Sequence, residues 1–172
     1  MDILKYWNSD EFDIYSRTLC FTKFKLMSHK LHFEYNLLES PLPSETQPAN
    51  ISLFNGDYLA LQKGIDVFNS EIEWDDMWNI EDAKTRLNSG WKLITLILDN
   101  QICGWNWLDV NTKTTHNLFV SKLHTNKGYG LQLKKYILVL SKELGIDKLK
   151  CEVDDWNKSS IRVQQKPAWV KI

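Results

Sequence analysis

The stretch that most constrains this fold is residues 118–133, LFVSKLHTNKGYGLQL, where a strand runs into a loop and a Gly-Tyr-Gly opens a long helix. The helix pattern continues to Leu144. Its apolar positions, Leu131, Leu133, Tyr136, Ile137, Leu140 and Leu144, form a wide stripe, and Gly145 stands in the C-terminal capping position. Gly128 and Gly130 let the backbone approach a ligand closely, while the exposed N–H groups and dipole of a helix start attract an anion. Lys122 and Lys127 add positive charge suited to a dianion such as pyrophosphate.

The other elements follow from their periods. Residues 30–38 alternate Leu31, Phe33, Tyr35 and Leu37 with polar neighbours, as a half-buried strand does, and residues 18–26 are a candidate hairpin partner. Residues 39–48, ESPLPSETQP, hold three of the four prolines and read as a linker. They divide an N-terminal extension, residues 1–48, from a main domain, residues 49–172. After the linker come a short strand at 50–54, a helix capped by Asp57, and a second helix at 80–88 ending near Gly90. Strands at 93–98 and 101–110 are joined by Asp99 and Asn100, a two-residue hairpin turn, and a third antiparallel strand occupies 114–121. A strand at 148–153, a short helix at 159–165 and an extended end complete an α/β (α+β) order with a mostly antiparallel mixed sheet.

Composition excludes several classes. A chain of 172 residues buries about 70% of its unfolded surface, so it needs no disulfide or metal staple. With 21 basic and 22 acidic residues the net charge is −1, and a nucleic-acid partner is not expected. The longest strongly apolar runs, 93–98 and 136–140, fall short of a membrane span, and MDILKYWNSDEFD lacks the apolar centre of a secretory signal. Cys20, Cys103 and Cys151 have no metal-ligand spacing and read as reduced thiols in the cytoplasm. His29 and His32 have no third ligand nearby in sequence, so no metal is expected.

The glycine run resembles the coenzyme A motif of the GNAT acyltransferase superfamily, a pattern near Gln/Arg-x-x-Gly-x-Gly/Ala after an apolar strand. Leu118, Phe119 and Val120 stand at its strand positions, and Lys127, Gly128 and Gly130 match its loop. Asn157, Lys166 and Trp169 match a second pattern downstream, and the element order from Asn50 onward agrees over about 120 residues. The resemblance implies the GNAT fold and acetyl-CoA or another short acyl-CoA as co-substrate. It also implies a coenzyme site at Leu118, Phe119, Val120, Lys122, Thr125, Asn126, Lys127, Gly128, Tyr129, Gly130, Leu131, Asn157 and Ser160.

Three departures stand out: Thr125 replaces the Gln or Arg, Gln164 replaces a tyrosine that in many relatives protonates the leaving thiolate, and the chain stops three residues after Trp169. The last implies an incomplete sheet edge, for the extension or a partner subunit to fill. A thiol of pKa about 8.5 is a fair leaving group without an acid.

The implied chemistry is direct attack of an amine on the thioester, with a base taking the proton. His116, on the strand four residues before Val120 and on the same side as Leu118 and Val120 by alternation, is the first candidate; arylalkylamine acetyltransferases carry a histidine at a corresponding position. Glu152 and Asp154, with Asp155 beside them, are reserve bases. The acceptor is expected between the acidic, aromatic segment 71–78, with Trp74, Asp75 and Trp78, and the strand indoles Trp105 and Trp107. These readings converge on an N-acyltransferase for a small-molecule amine, such as an amino sugar carried on a nucleotide, and on a homodimer if a partner fills the edge. A protein or peptide N-acetyltransferase and a non-catalytic acyl-CoA-binding module are the alternatives.

Overall fold

The computed structural model describes residues 29–39, 48–72, 77–165 and 170–171. Strand β1 (Lys30–Asn36) obeys the alternation read above: Phe33 and Tyr35 are buried, while His32 and Glu34 point the other way. Strand β2 (Ile51–Leu53) leads to helix α1 (Tyr58–Glu71), where the Asp57 side chain accepts from the Ala60 N–H and satisfies one of the helix's orphan donors. Helix α2 (Ile80–Asn88) is capped in the same way by Asn79, on the Asp82 N–H.

A meander of β3 (Lys92–Leu98), β4 (Gln101–Asp109) and β5 (Thr114–Val120) follows. Asp99 and Asn100 turn between β3 and β4 with φ of 49° and 60°, the positive pair that a tight two-residue hairpin requires. A 3₁₀ turn at Lys122–His124 leads into helix α3 (Tyr129–Glu143), then strand β6 (Lys148–Asp154), helix α4 (Lys158–Gln165) and strand β7 (Val170–Lys171).

The described strands make one sheet in the order β2-β3-β4-β5-β6-β1-β7, antiparallel at every junction except β5 against β6. Helix α3 contributes Leu133, Ile137 and Leu138 to the core on one face, with Ile161 of α4 packed against it. Leu61, Ile65 and Phe68 of α1 and Ala83 of α2 cover the other face, against Trp105, Trp107 and Phe119. The three layers give the mixed, mostly antiparallel α/β fold that the element order implies. No helix among the described residues is long and apolar enough to cross a membrane.

Strand β1 lies inside this sheet, in register with β6 from Lys30↔Asp154 to Asn36↔Lys148 and with β7 at Phe33↔Lys171 and Glu34↔Val170. Cross-strand charges reinforce that register: Lys30 to Asp154 at 3.0 Å, Lys148 to Glu34 at 3.1 Å, and His32 to Glu152 at 3.4 Å. Residues 18–26, its expected hairpin partner, lie outside the described residues.

Because Phe33 is buried between β6 and β7, Phe33→Ala should cost about 3–5 kcal/mol, the range for emptying a core aromatic position. Urea unfolding followed by tryptophan fluorescence measures it. A loss under about 1 kcal/mol would show that β1 is an accessory to the core.

Candidate active site

Strands β5 and β6 run parallel, and their pairing is confined to Thr114↔Lys150 and Thr115↔Cys151. The ladder does not continue towards the carboxyl ends of the two strands, where parallel sheets typically present ligand sites. A buried polar chain holds this junction. The Lys134 Nζ, reaching down from α3, donates to Thr115 Oγ1 at 2.6 Å, and the Thr115 hydroxyl in turn bonds to the Cys151 sulfur. Burial lowers the pKa of the Lys134 ammonium, with neighbouring Cys151 opposing, and burial likewise raises that of the Cys151 thiol. A buried, protonated Cys151 is a packing group rather than a nucleophile.

The loop after β5 delivers α3 to that carboxyl end. Gly128 is the N-cap, at φ 84°, a left-handed conformation that side chains rarely adopt, and a Cβ added there would meet nothing within 4 Å. No side chain caps this helix and no acid occupies its first turn. The backbone N–H groups of Gly128, Tyr129 and Gly130 find no carbonyl among the described residues, whereas those of Leu131 and Gln132 both donate to Gly128 O at 3.1 Å. An open run of donors at the positive end of a helix is suited to an anion.

Leu118 and Val120 lie beneath Gly130, close to where its Cβ would project, together with Val163 of α4. Lys122, Thr125, Asn126 and Lys127 are exposed around the loop; the Lys122 N–H is held by Glu71 Oε2 at 2.8 Å, and Thr125 Oγ1 donates to Lys122 O. Asn157 caps α4, its Oδ1 accepting from the Ser160 N–H, so both residues sit at a second helix start.

His116 requires a correction. Alternation puts it on the side of Leu118 and Val120, but Asn117 takes φ 46° and the β4–β5 register shifts between Trp105 and Trp107. The extra residue is a β-bulge, which turns the strand over. His116 therefore pairs with Trp107, and Phe119 with Trp105, on the α1/α2 face, while Leu118 and Val120 pack towards α3. Asparagine tolerates a left-handed backbone, which is the sole local sign of the bulge.

On that face His116 is half-buried, its ring 4.9 Å from the Trp91 ring. Burial first, then the charge of Arg86, holds its pKa below the ordinary histidine value, against Asp109 and Glu152, which raise it. Glu152 and Asp154 share the face, each engaged by β1 through His32 and Lys30. Trp105 and Trp107 share it too, but both are 1% exposed and packed among Phe68, Trp78 and Phe119. Trp78 is buried as well, its backbone N–H and carbonyl both held by the Asn69 side chain at 2.9 and 2.7 Å. Trp74 and Asp75 lie outside the described residues, as do Lys166 and Trp169. The sequence reading missed Trp91, Arg86 and Lys134, none of which carries a local motif. No group of three or more metal-ligating side chains occurs among the described residues.

Residues 59–166 match the sequence profile of the acetyltransferase (GNAT) family. The chain belongs to that family, whose members transfer an acyl group from coenzyme A to an amine. Solved structures share its fold. A GCN5-related N-acetyltransferase from Sphaerobacter thermophilus is 13% identical with a TM-score of 0.64, over 91% of this chain and 53% of that one. An N-acetyltransferase from Staphylococcus aureus Mu50 is 18% identical with a TM-score of 0.58, over 69% and 82%. A ribosomal-protein-alanine N-acetyltransferase from Brucella melitensis is 15% identical with a TM-score of 0.55, over 69% and 82%. The chain spans about half the length of the first of these. No curated protein matched.

The polar chain at the junction is open to test. Thr115→Val keeps the shape but removes the acceptor from a buried ammonium, and should destabilise the fold by roughly 1–3 kcal/mol. Thermal or urea unfolding at pH 7 measures it, and an unchanged midpoint would mean that Lys134 is held by its other contacts alone.

Proposed function

We propose that this chain transfers a short acyl group from an acyl-CoA thioester to the primary amine of a small molecule, with a nucleotide-linked amino sugar as the first acceptor class to test. The observation that carries the proposal is the open donor run of residues 128–130 at the start of α3, beside the point where the β5–β6 ladder stops. Those N–H groups, with Lys122 and Lys127 around them, suit the coenzyme's pyrophosphate, and the parting of the two strands gives its arm a route towards the α1/α2 face. The bound coenzyme supplies an activated acyl carbon and a thiolate leaving group.

On that face His116 accepts the proton released as the amine nitrogen bonds to the acyl carbon. Its lowered pKa keeps the imidazole neutral, the form that can act as base. Gln164 stands where a tyrosine acid would be; it is buried, with its Oε1 lacking a hydrogen-bond partner, and an amide supplies no proton to the thiolate. A thiol pKa of about 8.5 lets the sulfur depart unassisted near neutral pH. Cys103 and Cys151, unpaired and buried, suit a reducing compartment, which supports a cytoplasmic location.

Two measurements test these assignments. Gly128→Val places a β-branched side chain at φ 84° over the donor run and should abolish detectable coenzyme A binding by calorimetry while circular dichroism stays native; equal affinity in the folded variant would remove the cradle. His116→Ala should lower turnover by roughly 10² to 10⁴ with coenzyme affinity nearly unchanged. Full rate across pH 6 to 9 would pass the role of base to Glu152 or Asp154. Amino sugars on nucleotides, simple polyamines and N-terminal peptides are the acceptors to compare. Preference for a peptide would favour the protein-acetyltransferase alternative, and coenzyme binding without turnover of any amine would favour the binding module.

A further inference from the structure

Arg86 lies outside every segment expected to bear chemistry, yet the rings around His116 converge on it. From the last turn of α2 its guanidinium carbon stands 4.4 Å from the Trp78 ring centroid and 4.7 Å from that of Trp91. The Trp91 ring is also the one against His116, at 4.9 Å with 31° between the planes. Trp107, across the strands from His116, touches both indoles, at 5.6 Å from Trp78 and 6.5 Å from Trp91. Trp78 is in turn fixed by the double hydrogen bond from Asn69.

We propose that Arg86 is a positioning residue for His116: clamped between two indoles, its guanidinium locks the Trp91 ring on which the imidazole rests and sets a permanent positive charge against that ring. The proposal rests on the reading of His116 as the base. A planar cation suits this task, because guanidinium stacks on aromatic faces and does not deprotonate, whereas an ammonium is a compact, strongly hydrated charge.

The other charges around His116 are committed elsewhere. Asp109, at the end of β4, spends its carboxylate on the N–H groups of Asn111 and Thr112 and on the Thr112 hydroxyl. Glu152, on β6, pairs with His32 of β1. Lys134, on α3, is bound to Thr115, which pairs with Leu108 and Cys151 in the core on the opposite face. Burial, then Arg86 and, least, Lys134 lower the imidazole's proton affinity, while Asp109 and Glu152 raise it. Removing the guanidinium takes away a lowering influence, so the His116 pKa should rise. At mildly acid pH more of the base is then protonated and idle.

The test compares Arg86→Gln and Arg86→Lys with the wild type. It reads the His116 titration by NMR of histidine-labelled protein, assigned by its absence in His116→Ala, alongside kcat/KM from pH 5.5 to 9. In Arg86→Gln the midpoint should move to higher pH and the acid limb of kcat/KM should move with it, so that the loss relative to wild type is larger at pH 6 than at pH 8. Arg86→Lys, which keeps the charge but not the planar stack, should titrate near the wild type and lose kcat at every pH. An unmoved midpoint in folded Arg86→Gln overturns the inference, even where His116→Ala abolishes turnover. If Arg86→Gln does not fold, Arg86→Lys with wild-type kcat overturns it. A midpoint that moves while the rate limb stays supports the link between Arg86 and His116, and it is then the assignment of the base that fails.

Discussion

The candidate site is organised around the short parallel contact between β5 and β6. Two rungs join them, Thr114↔Lys150 and Thr115↔Cys151, and the ladder goes no further. Parallel neighbours cannot be joined by a tight turn; the chain has to cross over, and here the crossover is the glycine-containing loop and α3. The same topological requirement therefore brings a helix N-terminus to the carboxyl end of β5 and lays the apolar stripe of that helix on the sheet. Lys134, on the stripe, reaches back to Thr115 on the last rung. An ammonium in the core is costly unless hydrogen-bonded, so its contact with Thr115 ties the helix to the place where the ladder ends.

The bulge at Asn117 divides the labour between the two faces of the sheet. Without it His116 would join Leu118 and Val120 in the core beneath α3. With it, the α3 entry and His116 lie on opposite sides of one strand. The α1/α2 side is then an aromatic wall of Phe68, Trp78, Trp91, Trp105, Trp107 and Phe119, whose rings meet mostly edge-on or tilted at 4.8 to 6.5 Å. Such packing restrains each ring through several neighbours, so His116 rests on a surface with little freedom to move.

The sequence by itself determined the elements whose signals are local. The Asp57 cap, the Asp99–Asn100 turn, the alternation of β1 and the glycine entry to α3 all appear where their patterns placed them, because each depends on the conformational preferences of a few adjacent residues. The family was legible for the same reason, since its motif is one continuous loop of backbone donors.

Tertiary structure decided the rest. A strand's period is two, so one bulged residue reverses every assignment beyond it, and nothing in the residues around Asn117 but its tolerance of a left-handed backbone signals the change. The indoles of Trp105 and Trp107 do alternate on the expected face, but whether that face is solvent or core depends on what packs against it, and α1 together with Trp78 buries both. Glu152 and Asp154 looked equivalent to any pair of strand-end acids until β1, more than a hundred residues away in sequence, placed His32 and Lys30 opposite them. Arg86 stands in the last turn of α2, Trp91 in the turn before β3, where its N–H donates to the Arg86 carbonyl, and His116 on β5. How His116 meets the other two is set by where the sheet and α2 pack, and sequence distance carries no information about that.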